Sequence, residues 1–571
     1  MLTRLQVKNF RSLEAVDLPL GQLVALVGPN GAGKTSLLRA IDLVAGETWP
    51  TLRSFRVPQD FTAFDPTRDV EIRLAFEPAH VHRDTLSTQR AISELRVTCK
   101  PYRRTGKWGD VGDLHVDFDA LDAKGEVPRV ATSRPAKGVK PSFDPLRVGT
   151  DIRDQARILF IDHRRSLAQH HPWQRGSILG RLLQPARKEF TDQEDFKKAY
   201  EQAMDLLRTA RVKSIESTVA TTTKRMLGFL GTDRSEGVEI GFGFSDPANP
   251  FGSLRLQYRE SGLTVPGDEL GLGIQSAMVV GVFEAFRQLG TTVGTLVIEE
   301  PEMYLHPQAQ RYFYRLLLEL AESKKCQVIY STHSPIFAEV DRFEALRVVR
   351  RETSAHTDVR YVRQVDYALL EQARNALKIG GKFDSGRNEV LFARGALLVE
   401  GYGDRLAAAF AAEKMGLDVD AEGLAIVDCS AKTGIDLVVR VCKALGIPFV
   451  VLHDEDIWPI DPAWTEERRK RQLDENDVER QRNEALRDVI GNEGYCCVIS
   501  PTLEHVLGIG RNASDKPRRV LEAVRALDFA ALPSAFEPVS RAVSRLRDIA
   551  RARLVAAPAA QPGPTEEDVQ P

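Results

Sequence analysis

Gly28-Pro29-Asn30-Gly31-Ala32-Gly33-Lys34-Thr35-Ser36 follows the apolar run Leu23 to Val27 and precedes Leu37, Leu38, Ile41 and Val44, which recur at helical spacing. The order is strand, glycine loop, helix, and the loop fills every position of the phosphate-binding pattern G-x-x-x-x-G-K-[ST]. Glycine is required in such a loop because backbone N–H groups turn inward around phosphate oxygens, in conformations that a Cβ obstructs. The helix N-terminus adds positive potential. Asn30, Gly31, Ala32, Gly33 and Ser36 are expected around the phosphates, Lys34 on the β- and γ-phosphate oxygens, and Thr35 with its hydroxyl on magnesium. An ordinary glycine-rich turn has no reason to satisfy all these positions between a strand and a helix.

The chain around this loop has 571 residues, enough for roughly three or four domain-sized units. Its formal net charge is −2, so a nucleic-acid partner must meet a local basic surface or a metal site rather than a generally basic protein. The six cysteines form no C-x-x-C pair, which argues against a zinc ribbon or a disulfide scaffold and fits a reducing compartment. No charged, apolar and small-residue leader opens the sequence, and no apolar run reaches about 18 residues. The expectation is a cytoplasmic protein without a membrane partner.

In chain order, Met1 to Leu20 alternates around Leu5, Val7 and Phe10 and turns at Gly21 into the strand that feeds the loop. Further alternation between Asp69 and Asp122 predicts half-buried strands with one wet face, a β-rich lobe. Ala131 to Thr150, with Pro135, Pro141 and Pro145, reads as a loop. From Asp162 to Leu230 the pattern is helical, with a capping box at Thr191 and Glu194 and an apolar stripe at Phe196, Tyr200, Met204 and Leu207. This insertion is expected either to pack on its own lobe or to serve as a dimerisation arm. Strands resume at Gly237 to Phe244 and Ser253 to Tyr258.

Thr295-Leu296-Val297-Ile298-Glu299-Glu300-Pro301 is an apolar strand ending in two carboxylates. Magnesium is a hard ion that takes oxygen ligands, so Glu299 is expected in the magnesium shell and Glu300 on the attacking water. A further strand, Gln327 to Tyr330, ends at Ser331-Thr332-His333-Ser334 and places His333 near a γ-phosphate. Their order after the glycine loop is more specific than either alone.

With these motifs in place the chain resembles the ATP-binding-cassette ATPases of the chromosome-maintenance and recombination type. Leu270-Gly271-Leu272-Gly273-Ile274-Gln275-Ser276 is similar to that family's signature loop, which implies that Gly273 and Gln275 meet the ATP of an opposing subunit; Gly271 stands where the family carries serine. Gln59 is the candidate for the family's magnesium-sensing glutamine. About 240 residues separate Lys34 from Gly273 without sustained heptads, so no long coiled-coil arm is expected. The loop Pro301 to Pro307 resembles a subset of these ATPases that carry a downstream effector.

After a polar connector at Lys378 to Arg387, apolar runs at Ala396 to Val399, Leu424 to Val427, Phe449 to Leu452 and Cys496 to Ile499 alternate with helical stretches, the pattern of a parallel sheet. Glu400 closes the first run, Asp428 the second and Asp454-Glu455-Asp456 the third, while Glu504 follows the fourth. In an open α/β sheet the ligand site lies outside the carboxyl ends of the strands. Carboxylates gathered there with few cations call for a divalent metal.

Glu400-Gly401-Tyr402-Gly403-Asp404 with Asp454-Glu455-Asp456 resembles the topoisomerase-primase (Toprim) pattern. The resemblance implies that Glu400, Asp404, Asp454 and Asp456, with Glu504, bind one or two magnesium or manganese ions, in addition to the ion held with ATP. An ATP-binding cassette joined to a Toprim domain resembles the OLD (overcoming lysogenization defect) family of nucleases. That family's late lysine is matched by Lys516, and Asp428 and Lys432 resemble a substrate-side loop. Glu300, Glu400, Asp454 and Lys516 are therefore the expected catalytic set. The charge-dense segment Glu466 to Arg487 reads as a solvated helix, whose Arg468-Arg469-Lys470-Arg471 run is a candidate phosphate contact. Ala556 to Pro571 has too little apolar surface to order.

The expected fold is α/β: an ABC-type P-loop ATPase domain with a β-rich lobe and a helical insertion, then a Toprim domain with a parallel sheet. The expected segments are 1–161 and 236–385 for the two parts of the ATPase, 162–235 for the insertion, 390–550 for the Toprim domain and 556–571 for the tail. The expected function is ATP-coupled, metal-dependent cleavage of DNA by a homodimer. An RNA-cutting defence effector and an ATP-gated DNA-binding scaffold are the alternatives, and the family resemblance adds a helicase-like partner and antiphage defence or DNA repair.

Overall fold

The strand that feeds the glycine loop, Leu23–Val27, is buried along nearly its whole length and lies in the core sheet of a computed structural model. The structure describes residues 1–104, 111–131, 142–162, 210–228, 238–242, 254–260, 263–288, 294–323, 326–351, 356–376, 385–510, 513–529 and 532–556. Most of the expected helical insertion, including Thr191 to Leu207, and the tail beyond Ala556 lie outside these residues. The chain divides into two units, Met1–Leu26 with Gly33–Phe337, and Val27–Ala32 with Ala338–Pro571.

Among the described residues the first unit has two large sheets, beside a small one of Val238–Phe242, Leu254–Glu260 and Leu263–Pro266 and a two-stranded ribbon. Strands β1 (Leu2–Phe10), β2 (Leu13–Pro19), Leu23–Val27 as β3, β4 (Val70–Arg83), β5 (Gln89–Arg104) and β6 (Val111–Leu121) follow the predicted alternation. Five of them form an antiparallel sheet in the order β2-β1-β4-β5-β6. Leu5 faces Leu18 on one side and Leu74 on the other, so the alternate apolar residues of three strands share the buried face. The core sheet is parallel: Thr295–Glu299 pairs with Gln327–Thr332 and with Ile158–Ile161. All five residues of Thr295–Glu299 are buried, the mark of a strand covered on both faces.

Gln327 joins the two sheets. Its side-chain oxygen accepts from Leu2 N (2.9 Å) and Thr295 Oγ1 (2.8 Å), while its nitrogen donates to the carbonyls of Leu2 (2.6 Å) and Gly21 (2.7 Å). A buried amide is stable there because both donors and both acceptor directions are used. The segment Ala131 to Thr150 departs from the loop expectation at its ends. Arg129–Ala131 and Phe143–Pro145 pair as a short ribbon, and Thr150 opens helix α2 (Thr150–Ala156), which follows α1 (Lys34–Ala45).

In the second unit, Leu346–Arg351 and Thr357–Tyr361 form an antiparallel pair. The four apolar runs then form strands Gly395–Val399, Leu424–Asp428, Phe449–Asp454 and Tyr495–Ile499, all parallel, with the Leu424–Asp428 strand outermost on one side. Their order places Gly395–Val399 between Leu424–Asp428 and Phe449–Asp454. The core on one face joins Ala407, Ala408 and Ala411 of the first crossover helix to Val539, Val543 and Leu546 of the C-terminal helix. Alanine at the first three positions lets the helix approach the sheet closely. Glu466–Ile490 is helical as expected, but it buries Gln472, Asn476 and Asn483 as well as Leu486 and Ile490. Asn476 exchanges bonds with the backbone of Trp458, which accounts for a polar residue on a packed face.

Candidate functional site

The unit boundary runs through the glycine loop. In the second unit, a Cβ at Gly28 would lie 2.1 Å from the carbonyl oxygen of Val349, and Gly28 has φ 155°. Both facts restrict the position to glycine. Gly31 (φ 73°) also has a positive φ, Ala32 is buried, and Asn30 is exposed. In the first unit Gly33 (φ 112°) is the N-cap of α1 and Ser36 is half-buried in its first turn.

Lys34 is buried and lies 3.3 Å from His333 Nδ1. Burial pushes its ammonium down to about 8, against the opposing pull of Glu300, Glu302 and Glu299. Thr35 Oγ1 donates to Glu299 Oε1 at 2.5 Å, so the hydroxyl and the carboxylate expected around one magnesium ion lie side by side. Glu300 sits at the end of the strand with φ 47°, a conformation that costs about 1 kcal/mol or more for a residue with a side chain. Its N–H is held by the Ser331 carbonyl (3.0 Å), and its carboxylate lies 3.2 Å from His333 Nε2.

Glu302 lies in the Pro301 to Pro307 loop, for which the sequence assigns no individual roles. One of its oxygens accepts from His333 N (2.6 Å) and Thr332 Oγ1 (2.9 Å), while the other is buried with no partner. Burial raises its pKa against these hydrogen bonds. It orients the backbone that carries His333, and the signal for it was its place three residues after Glu299. In the candidate signature loop, Gly271 and Leu272 are exposed, Gly273 is half-buried, and Gln275 is buried with its amide on the Leu270 carbonyl (2.8 Å). That bond caps the loop from within. Gln59 lies exposed in a turn.

The acidic residues of the second unit meet at one sheet edge. In register, Val399 is beside Asp428 and Leu452, and Asp454 is beside Ile499, so Glu400, Asp428, Asp454 and Asp456 all follow from carboxyl ends of strands. Asp404 accepts from Gly401 N (3.0 Å) and Asp454 from Leu503 N (2.9 Å), which fixes two carboxylates by backbone donors. Glu400 Oε2 is buried with no hydrogen-bond partner. Burial first, then mutual repulsion, raises Asp454 (by Asp404, then Glu400) and Asp404 (by Glu400, then Glu504). Burial likewise pushes Glu400 up to about 7, with Lys432 opposing. Repelling carboxylates beside an orphaned oxygen are the kind of all-oxygen cluster that a divalent cation neutralises.

Two lysines border this cluster. Lys432 was expected in a loop; it is the first residue of helix Lys432–Ala444, buried, and donates to Asp456 Oδ2 (2.7 Å) and Glu479 Oε2 (3.1 Å). Burial pulls its pKa down, but Asp456 and Glu400 hold it above the usual lysine range. Asp456, a predicted ligand, is thus engaged by an ammonium and has φ 57°. Glu479 was not singled out, because nothing in its charge-dense helix distinguishes it from its neighbours. Lys516 opens helix Lys516–Ala526 with its Nζ 3.6 Å from Glu504 Oε1, so the late lysine and the last predicted ligand are brought together. His453 is fully buried, and burial lowers its pKa.

Residues 1–124 and 150–338 match the AAA ATPase domain family, and residues 391–456 match the overcoming lysogenization defect protein-like TOPRIM domain. OLD nuclease of Thermus scotoductus (strain ATCC 700910 / SA-01) is 59% identical over 548 residues, which cover 96% of this chain and 99% of that protein. The DNA replication and repair protein RecF of Yersinia enterocolitica is 50% identical over 58 residues, 10% of this chain and 16% of that protein. Among solved structures, the Smc head domain with an extended coiled coil, bound to the C-terminal domain of ScpA from Pyrococcus furiosus, aligns with TM-score 0.40 at 14% identity over 65% of this chain and 99% of that chain. Among the described residues no helix is long and apolar enough to cross a membrane. With an ATPase domain followed by a Toprim domain and a relative matched end to end, the chain belongs to the OLD nuclease family and is an enzyme, an ATPase and an endonuclease in one polypeptide.

Proposed function

We propose that the chain couples ATP hydrolysis to divalent-metal-dependent cleavage of DNA, with Glu400, Asp404, Asp454 and Asp456 holding magnesium or manganese and Glu504 completing the set. The observation that carries this reading is the convergence of carboxylates at one sheet edge, with Glu400 Oε2 buried and unpartnered. Ions bound there supply Lewis-acid polarisation of the phosphodiester and a more acidic water. The chain's own residues do the rest. Gly401 N and Leu503 N orient Asp404 and Asp454, and Lys516 brings positive charge beside Glu504, where a scissile phosphate gains charge.

At the nucleotide loop, Lys34 faces the β- and γ-phosphates of ATP, Thr35 and Glu299 take its magnesium, and Glu300 accepts the proton of the attacking water. His333, held between Lys34 and Glu300, reports the γ-phosphate to the loop that Glu302 anchors. Gly273 belongs to the face that a second copy would present to this ATP in a homodimer, and Gln275, buried with its amide on the Leu270 carbonyl, holds that loop in shape. The setting is cytoplasmic, in antiphage defence or DNA repair, with a helicase-like partner as the family resemblance implies.

The test is nicking of supercoiled plasmid with magnesium or manganese, with a chelated control and with folded Asp454→Ala. Nicking that needs the metal and vanishes in the variant supports the reading. Nicking that survives in Asp454→Ala moves the chemistry elsewhere, and cleavage of RNA alone under the same conditions replaces the substrate.

A further inference from the structure

Strand β4 continues past a register shift between Ala75 and His80, and its outer end pairs His80 with Ile92 and His82 with Arg90. Residues two apart on a strand share a face, so both imidazoles project together while Val81 faces the other way and is 51% exposed. Opposite them stands Asp151, the second residue of α2. Asp151 Oδ2 lies 3.4 Å from His80 Nε2 and 3.5 Å from His82 Nδ1, and the three ligand atoms all lie within 4.8 Å of one another.

These separations are long for N–H···O hydrogen bonds, whose mode is about 2.9–3.0 Å. They suit a different object. A tetrahedral ion with bonds of about 2.0–2.2 Å to nitrogen and oxygen sets its ligands about 3.3–3.5 Å apart along each edge. The carboxylate is also aimed by the backbone. A Cβ at Gly149, the N-cap of α2, would lie 2.4 Å from Asp151 Oδ1, so a side chain there would displace the carboxylate from the imidazoles. The histidines are 17% and 22% exposed and Asp151 is 55% exposed, which leaves a path for an ion and room for water as a fourth ligand.

We propose that His80, His82 and Asp151 form a further metal site, apart from those at the nucleotide loop and the acidic sheet edge, that takes a first-row divalent transition ion of the zinc type. Two imidazoles and one carboxylate select such ions over magnesium, which favours all-oxygen ligands. The ion cross-links the outer β-lobe to α2. That helix is anchored in turn, because Arg153 donates to the Gly46 and Thr48 carbonyls just beyond α1, and it leads directly into the Ile158–Ile161 strand beside Thr295–Glu299. Metal at this point stiffens the link between the lobe and the sheet that carries Glu299.

The experiment uses the full-length chain, stripped with a chelator and returned to buffer with excess magnesium to fill all-oxygen sites. Cobalt(II) is titrated as an optical probe and then displaced with zinc. The expected result is a visible tetrahedral band saturating at about one equivalent per chain and bleached by zinc, with the band lost in His82→Ala and in His80→Gln. Both variants are required to melt, metal-free, at the wild-type temperature, so that loss of the band reads the site and not the fold. An unchanged band in either folded variant, or no band in the wild type under magnesium, overturns the proposal.

Discussion

The nucleotide loop and the acidic sheet edge are both buried charge clusters, but they are balanced differently. Around Lys34 one cation sits among Glu299, Glu300 and Glu302, and Thr35, Thr332 and His333 supply hydrogen bonds to those acids. At the sheet edge, Glu400, Asp404 and Asp454 face one another, and the nearest buried ammonium, Lys432, is engaged by Asp456 and Glu479. The first cluster is partly compensated by its own lysine and hydrogen-bond donors and is ready for a ligand that brings its own magnesium. The second is complete only when a cation arrives. The same physics, desolvation opposed by counter-charge, thus gives one preorganised site and one that is held in tension.

The sharpest way to break this contrast is to delete one residue from each cluster. Lys34→Ala is expected to lower ATP turnover by about a hundredfold or more, because the only lysine of the loop is lost from charge stabilisation in the transition state. Asp454→Ala is expected to lower cleavage by a similar factor while leaving ATP turnover within about twofold. Steady-state phosphate release and plasmid nicking measured on both variants decide it; equal loss of both activities in both variants would mean that the two clusters do not act separately. Glu300→Gln should bind ATP but hydrolyse it about a hundredfold more slowly, seen as nucleotide retained after gel filtration.

A smaller effect distinguishes the tension itself. The folded pKa of Glu400 is pushed up to about 7 from an ordinary 4.5, so the folded chain binds a proton that the unfolded chain releases. The Glu400 contribution to the stability of the metal-free protein is therefore greatest below the unfolded value, is lost as pH rises through the window from 4.5 to about 7, and stays lost above it. Thermal melts in chelator from about pH 5 to pH 8 should show this fall, and magnesium should raise the melting temperature more at the upper end than at the lower. A melting temperature that rises with pH in chelator would contradict the assigned tension. Smallest of all, Lys432→Met should cost about 1–3 kcal/mol, since it leaves Asp456 and Glu479 without their shared donor. Denaturant unfolding with and without magnesium measures it, and an ion that restores most of the loss would show the ammonium and the metal to be interchangeable neighbours of Asp456.

Much of this was legible in sequence because it is local. The glycine loop, the acids that end the Thr295–Glu299 strand, and the D-x-D after Phe449 are each written in consecutive residues, with backbone direction fixed by apolar runs on either side. The four Toprim strands were legible for the same reason, as short apolar runs, although only Gly395–Val399 and Phe449–Asp454 are buried along their whole length and the edge strand Tyr495–Ile499 is partly exposed. What was not legible depends on pairs far apart. Glu302 reaches His333 across 31 positions, and Lys432 reaches Glu479 across 47, and neither acid differs in type from neighbours that only meet solvent. The facing of His80 and His82 toward Asp151 needs the register shift in β4 and the start of a helix that the sequence, read as a loop, did not announce. The two short strands flanking that loop were missed because prolines at its centre outweighed three-residue pairings at its ends.

Gln327 also sets a timetable. Its partner Leu2 leaves the ribosome well before it, and the amide that completes its hydrogen bonds follows 325 positions later. At about 5–20 residues per second, the N-terminal strand waits on the order of tens of seconds for that partner. During synthesis β1 can pair early with β2 and β4, which are made within the first 83 residues. The backbone of Leu2 is the part left waiting, so the nascent chain carries an open seam at that strand until the Gln327 strand has been made.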